Sequence, residues 1–183
     1  MSPGGWTKTA SLDIRFLQGE NECEMRRGEE RESLKGREGR SGRAASLLRA
    51  VCIGAAMSLI WGALSGALHL ERLFPDTVSG KLFAQPLTIQ IVLYGLVSPL
   101  LEEMLFRWFL YNLTRKVMPD RFAAFAVSAL FALWHGNVIQ MLYAFPAGLI
   151  LQALRAQSGR MEEPVLCHMS ANLTAIAVSA FVS

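Results

Sequence analysis

Beyond about residue 45 the chain alternates long apolar runs with short polar breaks. The runs cover about residues 47–70, 86–113, 121–135, 138–154 and 164–182. Roughly 20 apolar residues carry an α-helix across a bilayer. The pattern therefore predicts an all-α fold, a polytopic membrane helix bundle of about five apolar helices. The third and fourth runs are short for a crossing and are expected to be tilted, buried or partly re-entrant. Pro99 interrupts the second run, and Pro146 in the fourth predicts a kink. The first run is rich in Gly, Ala and Ser, which let membrane helices approach closely, and Gly62-Ala-Leu-Ser-Gly66 has GxxxG spacing.

Residues 26–43 hold almost no apolar side chains and cannot bury a core. This divides the chain into a charged, disordered or weakly structured tail, 1–45, and a membrane-embedded helical domain, 46–183. The tail lacks the apolar centre of a secretory signal peptide.

Composition agrees with the division: 52% of residues are hydrophobic and the mean hydropathy is +0.30. The pI near 9.0 reflects basic residues gathered in the tail and in short loops. A nucleic-acid interface wants them on a folded face with aromatics between, so no nucleic-acid partner is expected. Cys23, Cys52 and Cys167 form no CxxC pair, so neither a zinc knuckle nor a disulfide framework is implied. With the N-terminus in the cytoplasm, the tail and the 115–121 and 155–160 turns all fall inside, as the positive-inside rule requires. The expectation is an integral multi-pass protein in the plasma membrane of a prokaryote, its partner the lipid bilayer.

Against this apolar background Glu102 and Glu103 stand out. A carboxylate in the membrane costs roughly 2.5–3.5 kcal/mol on insertion scales, so such groups are functional candidates. Helix residues four apart share a face. Glu103 can thus pair with Arg107, while Glu102 points elsewhere, free for a different task. If the second and third runs turn near Met118-Pro119, Glu102 and His135 each lie about sixteen residues, ~24 Å, from that turn and can face each other. Phe131 shares a face with His135, and His168 shares one with Asn172. The same counting sets His168 nearer the cytoplasm than His135. Ser98, Ser128 and Ser170 read as helix-packing hydroxyls, with no GxSxG around them, and no HExxH is present.

Glu102-Glu103-x-x-x-Arg107, Phe131-x-x-x-His135 and His168-x-x-x-Asn172, in this order and each in an apolar run, resemble the CPBP (Abi) family of intramembrane proteases. That family includes the type II CAAX prenyl endopeptidases. The resemblance covers roughly residues 86–183. It implies an intramembrane endopeptidase acting on a membrane-associated peptide or protein, prenylated or embedded in the bilayer. It implies catalytic roles for Glu102, His135, His168 and Asn172: water activation by Glu102 with His135, and oxyanion stabilisation by His168 and Asn172. Glu103, Arg107 and Phe131 are implied as supporting residues. Two implied mechanisms stand side by side, a metal-independent glutamate mechanism and a metallo-mechanism. In the second, zinc or another divalent metal is held by Glu102, His135 and His168. A different class of function is a non-catalytic membrane interaction or bacteriocin self-immunity protein, and the three motifs favour the enzyme.

Overall fold

The computed structural model describes Gly39, residues 41–73 and residues 85–182. The expectation for the tail falls largely on residues outside that range. The chain divides into two compact units, Met1–Ala45 and Ser46–Ser183. The second holds every residue of the three motifs.

Among the described residues every regular element is a helix: α1 (Ser41–Ala67), α2 (Leu70–Leu73), α3 (Leu87–Thr114), α4 (Asp120–Trp134), α5 (Val138–Ser158) and α6 (Glu162–Val182). An all-α membrane bundle is thus the architecture. Four helices, α1, α3, α5 and α6, are long and apolar enough to cross a bilayer. At about 1.5 Å per residue the 15 residues of α4 rise only ~22 Å. Here the expected shortness holds. The fourth run is not short: α5 has 21 residues and continues through Pro146 to Ser158. Its polar last turn hid that length. Gly159 closes it at φ 66°, a conformation that suits glycine, and the Arg155 guanidinium donates to Gly159 O at 2.8 Å. At the other end the Asn137 side chain accepts from the N–H of Ile139 and Gln140, an N-cap that starts α5 two residues after His135.

Membrane helices associate by close packing, because lipid is as apolar as their side chains. Glycines therefore decide where these helices meet. A Cβ on Gly54 would overlap Cys167 O and Ser170 Oγ, so α1 rests directly on α6 there. Ser170 Oγ reinforces the contact by donating to Val51 O at 2.9 Å. Gly62 and Gly66 face open space instead, and the GxxxG spacing makes no close approach among the described residues. Gly148 brings α5 against α4, where an added Cβ would press on Ser128 and Phe131. Gly95 does the same for α3 against Leu173 of α6. α4 and α5 form the tightest pair, α6 packs along α3 as far as Glu103, and α4 covers the following turns of α3.

α3 is not a uniform α-helix. Gln90–Val97 and Met104–Leu110 are wound as π-helix, with Ser98–Glu103 as α-helix between them. The Ser98 N–H bonds Leu93 O and the Tyr111 N–H bonds Phe106 O, each five residues back. Such windings are rare and recur at functional sites. Both glutamates sit in the α-helical insert between them.

Candidate active site

Glu103 is fully buried, and its Oε1 receives two groups. Arg107 Nη1 lies 3.1 Å away and His168 Nδ1 lies 2.9 Å away. The Arg107 Nη1 contact is an ion pair without hydrogen-bond alignment, and Glu103 Oε2 has no donor among the described residues. Arg107 is 1% exposed. Its Nη2 reaches Gly148 O at 3.4 Å, and its guanidinium lies over the Phe131 ring, 4.1 Å from the centroid. The missing side chain at Gly148 brings that carbonyl within reach. Charge, main-chain acceptor and aromatic face together hold the buried cation.

The anchored carboxylate fixes His168. Glu103, carrying the charge that neutralises Arg107, can only accept, so Nδ1 of His168 carries the hydrogen. Nε2 is thereby turned towards the other glutamate and stands 3.7 Å from Glu102 Oε2. That separation is too long for a hydrogen bond and suits a bridging water. Glu102 is held separately: Ser98 Oγ, four residues earlier, donates to its Oε1 at 2.6 Å. The sequence expectation of one carboxylate neutralised by Arg107 and one kept apart matches this geometry.

His135 sits just past the end of α4, with its Nδ1 donating to Phe131 O at 2.8 Å. Its Nε2 is left as the free lone pair. Phe131 stands edge-on to both imidazoles, with centroids 4.9 Å from His135 and 5.6 Å from His168. Phe106 backs it at 5.2 Å. Phe131, His135, His168, Asn172 and Tyr143 line one cavity of about 30 Å³. Roughly 10–15 Å³ is enough for a water when polar partners are present, so the cavity has room for one or two.

The expected facing of Glu102 and His135 is not found. Among the described residues no hydrogen bond or ion pair joins them, and His168 takes that place. Counting along the chain gives depth but not the direction in which a side chain points: Glu102 lies in a groove along α3, whereas His135 lines an inner cavity together with His168.

A second, wider space opens beside the first. A groove of about 320 Å³ runs along α3, walled by Leu93, Val97, Leu101, Leu105 and Trp134. Tyr94, Ser98 and Glu102 complete its lining. Glu102 thus belongs to an apolar groove, and His168 connects it to the inner cavity.

Two partners were not foreseen. In sequence Ser98 reads as a packing hydroxyl, although its i,i+4 spacing to Glu102 is a usable signal. Tyr143 lines the cavity with its ring against Trp61 of α1 at 5.7 Å, and nothing in its sequence neighbourhood marks it.

Among the described residues no three His, Cys, Asp or Glu side chains gather closely enough to hold a metal ion. The set Glu102, His135 and His168 does not converge as it stands. His168 holds Nδ1 on Glu103 and His135 holds Nδ1 on Phe131 O, so each keeps Nε2 for a cavity water or, were one bound, a metal ion.

Residues 84–174 match the family described as type II CAAX prenyl endopeptidase Rce1-like. The chain carries an Rce1-like domain. That domain spans both glutamates, both motif histidines and Asn172. A domain of this kind implies a membrane protease, a hydrolase acting on peptide bonds, in keeping with the four apolar spans. No curated protein and no solved structure matches the chain.

Proposed function

We propose that this Rce1-like protein is an intramembrane endopeptidase whose hydrolytic centre is Glu102 with His168, His135 and Asn172. The observation that carries this reading is the placement of His168. Its Nδ1 is fixed on the buried Glu103–Arg107 pair, and its Nε2 faces Glu102 across 3.7 Å. A buried carboxylate that fixes the tautomer of a histidine is how hydrolases aim the other ring nitrogen at the reacting atoms.

In this reading a water sits between Glu102 and the cavity. Glu102 takes one of its protons as the oxygen attacks the scissile carbonyl carbon. The oxyanion is met by the Asn172 amide, while His168 presents its Nε2 lone pair to the water that Glu102 deprotonates. The C–N bond then breaks, and the proton held by Glu102 passes to the leaving amine, giving a carboxylic acid and an amine. His135 presents its Nε2 lone pair to the cavity water and steadies it. Ser98 holds the Glu102 carboxylate in the groove. The apolar groove along α3 accepts a substrate arriving from the bilayer, a prenylated or membrane-embedded peptide.

The orientation with the N-terminus in the cytoplasm places the 115–121 and 155–160 turns inside. The opposing turn at Gly136-Asn137 carries no charge.

The test is cleavage of an internally quenched farnesylated peptide by the full chain in proteoliposomes, with products mapped by mass and metal content measured by elemental mass spectrometry. Cleavage at one peptide bond, lost in Glu102→Gln, supports the reading. An uncleaved peptide, together with a membrane-protection phenotype that survives Glu102→Gln, contradicts it and favours an interaction protein. Stoichiometric metal that is lost in His135→Ala would replace the side-chain mechanism with a metal-assisted one.

A further inference from the structure

Asn172 does not hang free in the cavity. Its Nδ2 donates to the main-chain carbonyl of Tyr94 on α3 at 2.8 Å. The acceptor settles the amide orientation, because only the nitrogen side of the group can face a carbonyl oxygen. A helix carbonyl is normally occupied by its own backbone, so its availability needs a cause.

Pro99 is that cause. In the π-wound turn the Ser98 N–H reaches Leu93 O, five residues back. The next bond in that register would run from residue 99 to Tyr94 O. Residue 99 is proline and has no N–H. The carbonyl of Tyr94 is therefore left over, and α6 fills it with Asn172. Pro99 is itself buried, and Gly95 lets α6 approach α3 at this level, where an added Cβ would run into Leu173. Three local features of α3 thus bring about one bond: a π turn, a proline and a glycine.

We infer that Pro99 is a positioning residue, acting through the Tyr94 carbonyl to turn the second N–H of the Asn172 amide into the cavity shared with His135 and His168. The catalytic part of this inference rests on the proposed hydrolytic reading; the structural part does not. An amide NH₂ group is planar, so once one hydrogen is spent on Tyr94 O the direction of the other is set. A donor aimed in advance is what stabilises a developing oxyanion without reorganisation. What counts at Pro99 is the hydrogen it lacks, not the ring it carries.

Pro99→Ala restores the missing donor. In the π register the new N–H at position 99 takes Tyr94 O; if the turn relaxes to α-helix, the Ser98 N–H takes it instead. Either way Asn172 meets a competitor. The variant is expected to fold, since alanine is favoured over proline inside a helix. A second variant separates ring from hydrogen: replacing residue 99 with the α-hydroxy analogue of alanine puts a backbone ester there, with neither ring nor N–H.

The experiment is hydrogen exchange of the Asn172 side-chain amide, followed by NMR on ¹⁵N-asparagine-labelled full chain in detergent micelles and assigned by its loss in Asn172→Ala. It is paired with kcat and KM on the farnesylated peptide. Expected is exchange about tenfold or more faster in Pro99→Ala than in wild type, and near wild type in the ester variant. kcat should fall about tenfold or more in Pro99→Ala, with KM little changed and largely recovered by the ester. Unchanged exchange in Pro99→Ala, or equal loss of protection in both variants, overturns the role given to Pro99. Full activity in Glu102→Gln with the exchange pattern intact overturns the hydrolytic reading alone and leaves the positioning of Asn172 standing.

Discussion

His168 and Glu103 stand 65 residues apart in sequence and 2.9 Å apart in space, Nδ1 to Oε1. Through that contact the Glu103–Arg107 pair of α3 reaches α6 and sets which nitrogen of His168 faces Glu102. Glu103→Gln keeps the shape of the side chain but leaves the buried Arg107 without its anion, so it should lose about 3–5 kcal/mol of stability. It should lower kcat by about 10²-fold or more, the scale of a lost acid–base alignment. Steady-state kinetics beside a thermal melt checks this; an unchanged kcat removes the orienting role of Glu103.

Arg107 supports the same structure energetically. Arg107→Ala leaves the fully buried Glu103 without its cation. Breaking a buried pair from one side costs about 3–5 kcal/mol. Thermal unfolding in detergent should show a large loss for Arg107→Ala, and the double variant Arg107→Met with Glu103→Leu should recover much of the stability without any activity. A double variant no more stable than Arg107→Ala contradicts the charge argument.

Ser98→Ala removes the donor that holds Glu102. Hydrogen bonds to charged groups contribute about 1.5–3 kcal/mol, so activity should fall roughly 10- to 100-fold where that alignment is needed in the transition state. The same bond contributes to stability, so the unfolding free energy should fall by no more than about that amount. Equal activity in Ser98→Ala and wild type would show that the groove holds Glu102 without it.

The glycines give a packing test that needs no substrate. Gly54→Val forces α1 off Cys167 and Ser170 and should cost about 1–3 kcal/mol, as overpacking does. Gly62→Val and Gly66→Val enter open space and should be nearly neutral. The reverse order in unfolding measurements would place the α1 contact at the GxxxG pattern after all.

What the sequence disclosed follows the distance over which each fact is encoded. The helices and the Glu103–Arg107 pair were legible, because runs of apolar residues and i,i+4 spacing are local. The partner of Glu102 was not. Assigning His168 rather than His135 requires knowing which way each side chain points from α3, α4 and α6, and that is set by packing between helices distant in sequence. The bond between Asn172 and Tyr94 O was half legible: a proline in a helix announces a freed carbonyl, but not which side chain will take it. Gly54 outranks Gly62 and Gly66 because closeness depends on the facing helix, not on spacing alone. A turn with charged ends, such as that of α5 at Arg155, hid helix length because it reads as loop.

The most direct measurement is the cleavage rate of the farnesylated peptide by Glu102→Gln relative to wild type, both reconstituted in proteoliposomes and matched for unfolding temperature. Loss of a general base costs about 10²–10⁴-fold, and a fall of that size is the expected result. Cleavage by Glu102→Gln at the wild-type rate would contradict the assignment of Glu102 as the base, and with it the hydrolytic centre built around His168.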